Sequence, residues 1–357
     1  MINLSIENKD LWTYLQSSDK PIVMYGMGNG ADKILAVCEK YGIEVCDFFA
    51  SDGFVRGHAF HGKTVLSYSE IKEKYKDFIV LVSFATSLPD VLDRIYAISQ
   101  EAELYVPDVP VFGETLFARE FVEENAEKIR RCASIFADDE SVRVYENVIN
   151  AKLTGKISYL RASETDRQTV YREILRPESY RAYADLGAYN GDTVRELLQY
   201  APNLEFAAAL EPDGRNFRKL SEYAQSESRL TLELHNVGAW DHADTLFFDG
   251  SGNRNANISS AGKKTKEVQV DALDNILRGR SVDYIKYDVE GSERQALEGS
   301  RETINRFSPD LLVSMYHRSE DIFELPLMIH EMNPEYRLYL RRFSYLPAWD
   351  LNLYAIK

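Results

Sequence analysis

Tyr183-Ala-Asp-Leu-Gly-Ala-Tyr-Asn-Gly-Asp192 begins as a short apolar strand and becomes a tight turn, and a helix carrying Val194, Leu197 and Leu198 follows it. Gly187 and Gly191 can take backbone angles closed to other residues and let a ligand approach the main chain. A turn that presents free N–H groups at the start of a helix favours a carboxylate or phosphate. Asp185 and Asp192 count against phosphate, because carboxylates flanking the glycines would repel a pyrophosphate. They suit a ligand with an ammonium group and ribose hydroxyls, and S-adenosylmethionine (AdoMet) has both. The stretch therefore reads as a nucleoside-binding turn, with Asp185, Gly187, Ala188, Tyr189, Gly191 and Asp192 around the cofactor.

Spacing beyond the turn agrees. Phe206-Ala-Ala-Ala-Leu210 ends in Glu211-Pro212, nineteen residues past Asp192. An acidic residue closing the second strand of a doubly wound sheet holds ribose hydroxyls. NAD would fit this pair too, but D-x-G-A-x-x-G-D replaces G-x-G-x-x-G and favours AdoMet. A plain strand-turn-helix with a surface Asp would not need both elements in this order. A third strand over 230–234 leads to Asn236-Val-Gly-Ala-Trp240, where Gly238 and Ala239 are expected beside the adenine; Trp240 serves the base or simply the core. Residues 249–264 form a long polar loop of the kind that often covers substrates.

The reaction centre is expected in Val282-Asp-Tyr-Ile-Lys286-Tyr-Asp288-Val-Glu290-Gly291-Ser-Glu293. This strand would lie next to the nucleotide-binding strand, with its tip close to the transferring group. Lys286, Asp288 and Glu290 alternate, so their side chains project to one side. Three ionisable groups on an apolar strand are expensive in a core unless paired, and an active site explains them better than packing does. Asp310-Leu-Leu-Val-Ser-Met-Tyr316-His317 is a strand ending in an imidazole that could serve as general base, being half neutral near physiological pH, or could orient the substrate. Strands over 336–342 and 351–356 would complete the sheet, and Phe343, Tyr345 and Trp349 would wall a substrate or cover the sheet edge.

Upstream, Pro21-Ile-Val-Met-Tyr25 runs into Gly26-Met-Gly-Asn-Gly-Ala31 and a helix, and further strands are expected over 45–50, 63–67 and 79–83. This alternation predicts a parallel α/β domain. Its turn reads either as a nucleotide-sugar site, with Gly26, Gly28 and Asp52 at the ligand, or as a tight turn needed for packing. Residues 111–180 show no strand alternation and read as a helical connector, including a helix over 139–153 with Val142, Tyr145, Val148 and Ile149 on one side. The expected organisation is a Rossmann-like α/β domain (1–110), a helical connector (111–180) and a second Rossmann-like domain (181–357).

Composition bounds the partners. At 357 residues, 45% hydrophobic and 28% charged, the chain is long enough for two globular domains. A net charge of −15 counts against nucleic acid. A small-molecule or glycan acceptor is expected, with self-association left open. Cys38, Cys46 and Cys132 lack metal-type spacing and read as reduced thiols. Residues 1–10 do not form a signal peptide, and the longest apolar run, 78–84, is too short for a membrane span, so a cytoplasmic location is expected.

From about residue 181 to 357 the chain resembles the FkbM family of AdoMet-dependent methyltransferases, through Asp185-Leu-Gly-Ala-Tyr-Asn-Gly-Asp192, Glu211-Pro212, Ile285-Lys-Tyr-Asp-Val-Glu-Gly-Ser-Glu293 and Tyr316-His317. The resemblance implies a class I AdoMet methyltransferase sheet and O-methylation of a hydroxyl on a sugar or polyketide-like product. It implies Asp185, Gly187, Gly191 and Glu211 at the cofactor, Lys286, Asp288 and Glu290 lining the reaction centre, and His317 facing the acceptor. The first domain tilts the acceptor towards a sugar that is nucleotide-linked, in a polysaccharide, or on a natural product. His317 or Asp288 would be the base, with Lys286 paired to Asp288 or Glu290. No metal is assigned, although Asp288 and Glu290 would suit magnesium. The rival readings are an NAD-dependent sugar oxidoreductase using the Gly26 turn, which lacks a Tyr-x-x-x-Lys pair in the expected context, and a non-catalytic sugar-nucleotide scaffold. The acidic residues at 185, 211, 288 and 290 count against the scaffold.

Overall fold

Short β-branched and alanine-rich runs, too apolar for a surface and too short for helices, alternate with helical segments and sort into two mainly parallel sheets. The computed structural model describes residues 4–51, 57–249 and 265–357. The first part contains β1 (Ile22–Tyr25), β2 (Asp47–Ala50), β3 (Ala59–Phe60), β4 (Lys63–Thr64), β5 (Leu66–Ser67), β6 (Ile79–Val82) and β7 (Glu103–Tyr105). Five of these form a parallel sheet in the order β5-β2-β1-β6-β7, and β3 and β4 make a separate hairpin.

The second part contains β8 (Ala182–Leu186), β9 (Phe206–Leu210), β10 (Thr231–His235), β11 (Gly238–Ala239), β12 (Asp244–Asp249), β13 (Thr265–Asp271), β14 (Tyr284–Tyr287), β15 (Asp310–Ser314), β16 (Arg337–Arg342) and β17 (Leu351–Ile356). Its main sheet runs β10-β9-β8-β14-β15-β17-β16. The first five strands are parallel, and β17 inserts antiparallel between β15 and β16. From β8 the chain goes to β9 on one side and returns to β14 on the other. That reversal opens a crevice at the carboxyl ends of β8 and β14. A small sheet, β11-β13-β12, stands apart; the pairing of β12 with β13 was not anticipated from the sequence.

The helix Asp139–Thr154 links the two parts. Asp138 caps its start by accepting from the Ser141 N–H, and Gly155 at φ 65° ends it. Its buried face carries Val144, Tyr145, Val148 and Ile149; the expected Val142 lies off that face. One cluster of buried side chains runs from Val23 and Val80 through Val144 and Val148 to Leu311 and Leu353, so the two sheets share a continuous core. Cys38, Cys46 and Cys132 are free thiols. No helix among the described residues is long and apolar enough to cross a membrane.

Within the shared core, Lys152 Nζ donates to Asp108 Oδ1 at 2.9 Å, with both side chains 4% exposed. Removing one partner of such a pair leaves a buried uncompensated charge. Lys152→Ala is therefore expected to lower unfolding stability by about 3–5 kcal/mol. Denaturant titration would measure this, and Lys152→Met with Asp108→Leu should recover much of the loss.

Candidate active site

Parallel pairing puts Lys286 of β14 directly beside Asp185 of β8. Lys286 Nζ accordingly lies 3.2 Å from Asp185 Oδ1 and donates to the Gly187 carbonyl at 3.0 Å. The other Asp185 oxygen accepts from Thr193 Oγ1 at 2.5 Å. Burial opposes the charge on Lys286, but Asp185 and Asp288 outweigh it and raise its pKa. The hydrogen-bonded partner of Lys286 is thus Asp185, which the sequence reading did not name, while Lys286 and Asp288 hold each other charged from a greater distance. Asp185 is fully buried and fixes the turn from beneath.

The turn's N–H groups are also committed. Gly187 and Ala188 both donate to the Leu210 carbonyl, at 3.0 and 2.9 Å, and Gly191 donates to the Ala188 carbonyl at 2.7 Å. Tyr189, at φ 47°, donates to Glu211 Oε2 at 2.9 Å. Three of these donors tie the turn to the end of β9 and to Glu211 just beyond it, and the fourth, Gly191, closes the turn on itself. Ala188 is buried, whereas the Tyr189 side chain is 46% exposed at the crevice rim. Gly187, at φ 89°, lies so close to β14 that a Cβ would collide with the Asp288 carbonyl. Tyr223 fills the space beside Gly191 in the same way.

Glu211 joins three segments. Its second oxygen accepts from the Asp213 N–H at 2.7 Å, and Asn236 Nδ2 donates to its carbonyl at 2.8 Å. Burial raises its pKa against the opposing N–H donors of Asp213 and Tyr189. Asn236 stands just past β10, where the sequence reading favoured Gly238 and Ala239. Those two instead form β11, paired to β13, and Ala239 is buried. The one signal for Asn236 was an amide directly after a strand.

At the ends of β14 and β15, Tyr316 Oη donates to Asp288 Oδ1 at 3.1 Å. His317, 2% exposed, places Nε2 at 3.6 Å from Asp288 Oδ1 and 3.9 Å from Glu290 Oε2. Its Nδ1 approaches Glu293 Oε1 to 2.9 Å, but off the line of a directed hydrogen bond. Glu293 is 1% exposed and its oxygens accept from the N–H groups of Val289 and Gly291, at 2.9 and 3.0 Å. Glu290 sits at φ 59°, a left-handed conformation that is strained for a non-glycine residue.

Burial disfavours charge on His317, but Glu293, Asp288 and Asp321 outweigh it and hold its pKa above the ordinary 6.5. His317 is thus more readily protonated than the half-neutral imidazole expected from sequence. Burial likewise works against the Asp288 charge, yet Lys286, His317 and Tyr316 keep its pKa low. Asp321 is pushed up to about 8, by burial and then by Glu293. Sequence reasoning missed Glu293 as the partner of His317. A carboxylate at the first position of a short helix looked like an ordinary helix-start residue.

Asp288, Glu293 and His317 offer ligand atoms within 4.8 Å of one another. Both Glu293 oxygens already hold backbone N–H groups, and Glu293 and Asp288 approach opposite ring nitrogens.

Beside it lies a cavity of about 310 Å³ lined by Asp192, Thr193, Lys286, Asp288, Ser314 and Tyr316, with Phe343, Tyr345 and Trp349 as an aromatic wall. Trp349 stacks between Tyr316 and Tyr345, with ring centroids 6.2 and 5.8 Å away. Arg167 spans Glu196 and Asp350 at 3.3 and 2.7 Å. In the first sheet, packing already accounts for two glycines of the Gly26 turn: a Cβ on Gly26 would lie 2.6 Å from Phe84, and one on Gly30 would collide with the Ser83 carbonyl. Gly28, at φ 100°, faces open space. Asp52 and the polar stretch 250–264 lie outside the described residues.

Residues 185–347 match the family model described as the methyltransferase FkbM domain. Among solved structures, methyltransferase FkbM from Methylobacillus flagellatus KT aligns with a TM-score of 0.73 at 22% identity, over 96% of this chain and 92% of that one. This likeness shows the fold, and it takes in most of the chain. Fibrillarin from Aeropyrum pernix, solved with natively bound S-adenosyl-L-methionine, aligns at TM-score 0.35 and 13% identity, over 53% of this chain and 71% of that one. Precorrin-6y C5,15-methyltransferase from Geobacter metallireducens GS-15 aligns at TM-score 0.34 and 13% identity, over 53% and 87%. No curated protein matches the chain.

Proposed function

We propose that this protein is an AdoMet-dependent O-methyltransferase acting on a hydroxyl of a sugar that is nucleotide-linked, part of a polysaccharide, or attached to a natural product. The observation that carries the reading is that a glycine turn braced by Glu211 follows β8 while an imidazole near Asp288 follows the neighbouring strands β14 and β15, so both stand at the carboxyl ends of adjacent parallel strands. The domain match over 185–347 supports the same reading. When bound, AdoMet supplies an electrophilic sulfonium methyl group. The chain's residues then have to align the acceptor oxygen with that carbon and remove one proton. On the protein's side, the hydroxyl proton would pass to the neutral form of His317 at Nε2. Asp288 accepts a hydrogen bond from Tyr316 and holds that face of the site negative. Phe343, Tyr345 and Trp349 offer flat apolar surfaces on which the C–H faces of a sugar ring can pack.

Calorimetry tests the cofactor half. Wild-type protein should bind AdoMet, and Glu211→Ala should bind it at least about tenfold more weakly, or about 1.4 kcal/mol. Because burial raises the Glu211 pKa above 4.5, it takes up a proton at a higher pH than an exposed glutamate would. Affinity should therefore fall as pH is lowered through that raised value. A wild-type protein that binds NADH and not AdoMet would overturn the reading. The acceptor half is tested with methyl-labelled AdoMet and a panel of sugar and non-sugar hydroxyl compounds, and label found only on non-sugars would remove the sugar assignment.

A further inference from the structure

The two loops carrying the reaction-centre groups, 288–293 and 316–320, leave different strands, and His317 Nε2 stays beyond hydrogen-bond reach of Asp288 and Glu290. Besides the direct links between these loops, residues 112–115 touch both of them. The Phe112 N–H donates to the His317 carbonyl at 2.9 Å. The Phe112 ring lies against Gly291 so closely that a Cβ there would stand 2.8 Å from it, and Gly291 at φ 96° favours glycine for backbone reasons as well. Arg318 stacks its guanidinium on the same ring at 4.2 Å and donates from Nε to the Gly291 carbonyl at 2.8 Å. Ser319 Oγ donates to the Thr115 carbonyl at 2.6 Å.

We propose that Phe112 and Arg318 are positioning residues for methyl transfer: Phe112 clamps the Gly291 loop against the strand end that carries His317, so a segment outside the matched domain completes the catalytic centre. The inference rests on the methyl-transfer reading of the site. Phe112 contacts the backbone on both sides of the imidazole–carboxylate cluster and not the crevice floor, so its loss should move His317 relative to Asp288 and Glu293 while sparing the cofactor turn. A displacement of about 1 Å in a reacting group is enough to cost about a hundredfold in rate.

The test uses the full chain, with Phe112→Ala and, as the conservative replacement, Phe112→Tyr. The chain has six histidines, so the imidazole signal of His317 can be assigned in nitrogen-15 spectra by its loss in His317→Gln. In Phe112→Ala the His317 ring signals should shift and kcat should fall by about tenfold to a hundredfold, with the AdoMet dissociation constant within about twofold of wild type. Phe112→Tyr should restore both readouts. Should Phe112→Ala fail to fold, Arg318→Gln removes the bridge to Gly291 from a half-exposed position and is expected to give the same two changes. Wild-type His317 signals or wild-type kcat in the folded variant would overturn the proposal. Failure of wild-type protein to bind AdoMet would instead sink the functional reading, and the spectra report the Phe112–His317 coupling independently of that result.

Discussion

Replacement of His317 by alanine should lower kcat by about 10²–10⁴-fold, the range for loss of a general base, with AdoMet affinity nearly unchanged. The imidazole lies at the ends of β14 and β15, away from the Glu211-braced turn that would hold the nucleoside. Its activity should also depend on pH in a defined direction. The Glu293, Asp288 and Asp321 carboxylates raise the folded-state pKa above 6.5, and only the neutral form accepts a proton. Turnover should therefore rise with pH to a plateau, with a midpoint above 6.5. The stability linkage has the opposite slope. A raised histidine pKa contributes stability that is fully present below the unfolded value and is lost as pH rises through the folded value. His317→Gln separates chemistry from packing because it keeps a polar side chain in the buried site. If His317→Gln kept full turnover while Asp288→Asn lost it, Asp288 would be the base. Its lowered pKa makes it the weaker candidate.

Gly187→Ala should abolish measurable AdoMet binding and destabilise the fold. Two effects add. At φ 89° a side chain is strained, by about 1–2 kcal/mol, and its Cβ would collide with the Asp288 carbonyl. The collision is between backbones, so no side-chain rotation relieves it, and β8 and β14 must separate where the crevice begins. A loss of about 2–4 kcal/mol is expected, measurable by denaturant unfolding alongside calorimetry. Gly28→Ala is the comparison: its φ is 100°, but a Cβ there meets open space, so only the backbone term remains. Equal losses at the two positions would show that the contact with Asp288 contributes nothing.

Much of the fold could be read from the chain because strand patterning is local. The runs at 183–186, 206–210 and 284–287 announce buried parallel strands by composition, and the glycine turn after the first marks the carboxyl end where a crevice forms. The small sheet of β12 and β13 escaped notice because its antiparallel pairing, Asp244 with Val270 through Asp249 with Thr265, is a long-range event.

The site divides in the same way. Sequence alone brought Glu211, Asp288, Glu290 and His317 to attention, since ionisable groups at the ends of apolar strands are costly without a purpose. Their partners were decided by the tertiary structure. Lys286 meets Asp185 because β14 aligns with β8 in register, and the turn's amides close on Leu210 because β9 ends there. Glu293 faces His317 from a different loop, and Phe112 reaches Gly291 from another part of the chain. Charge state and hydrogen bonding depend on distances of a few ångströms in a medium of low dielectric. Residues far apart in sequence acquire those distances only when the chain is packed.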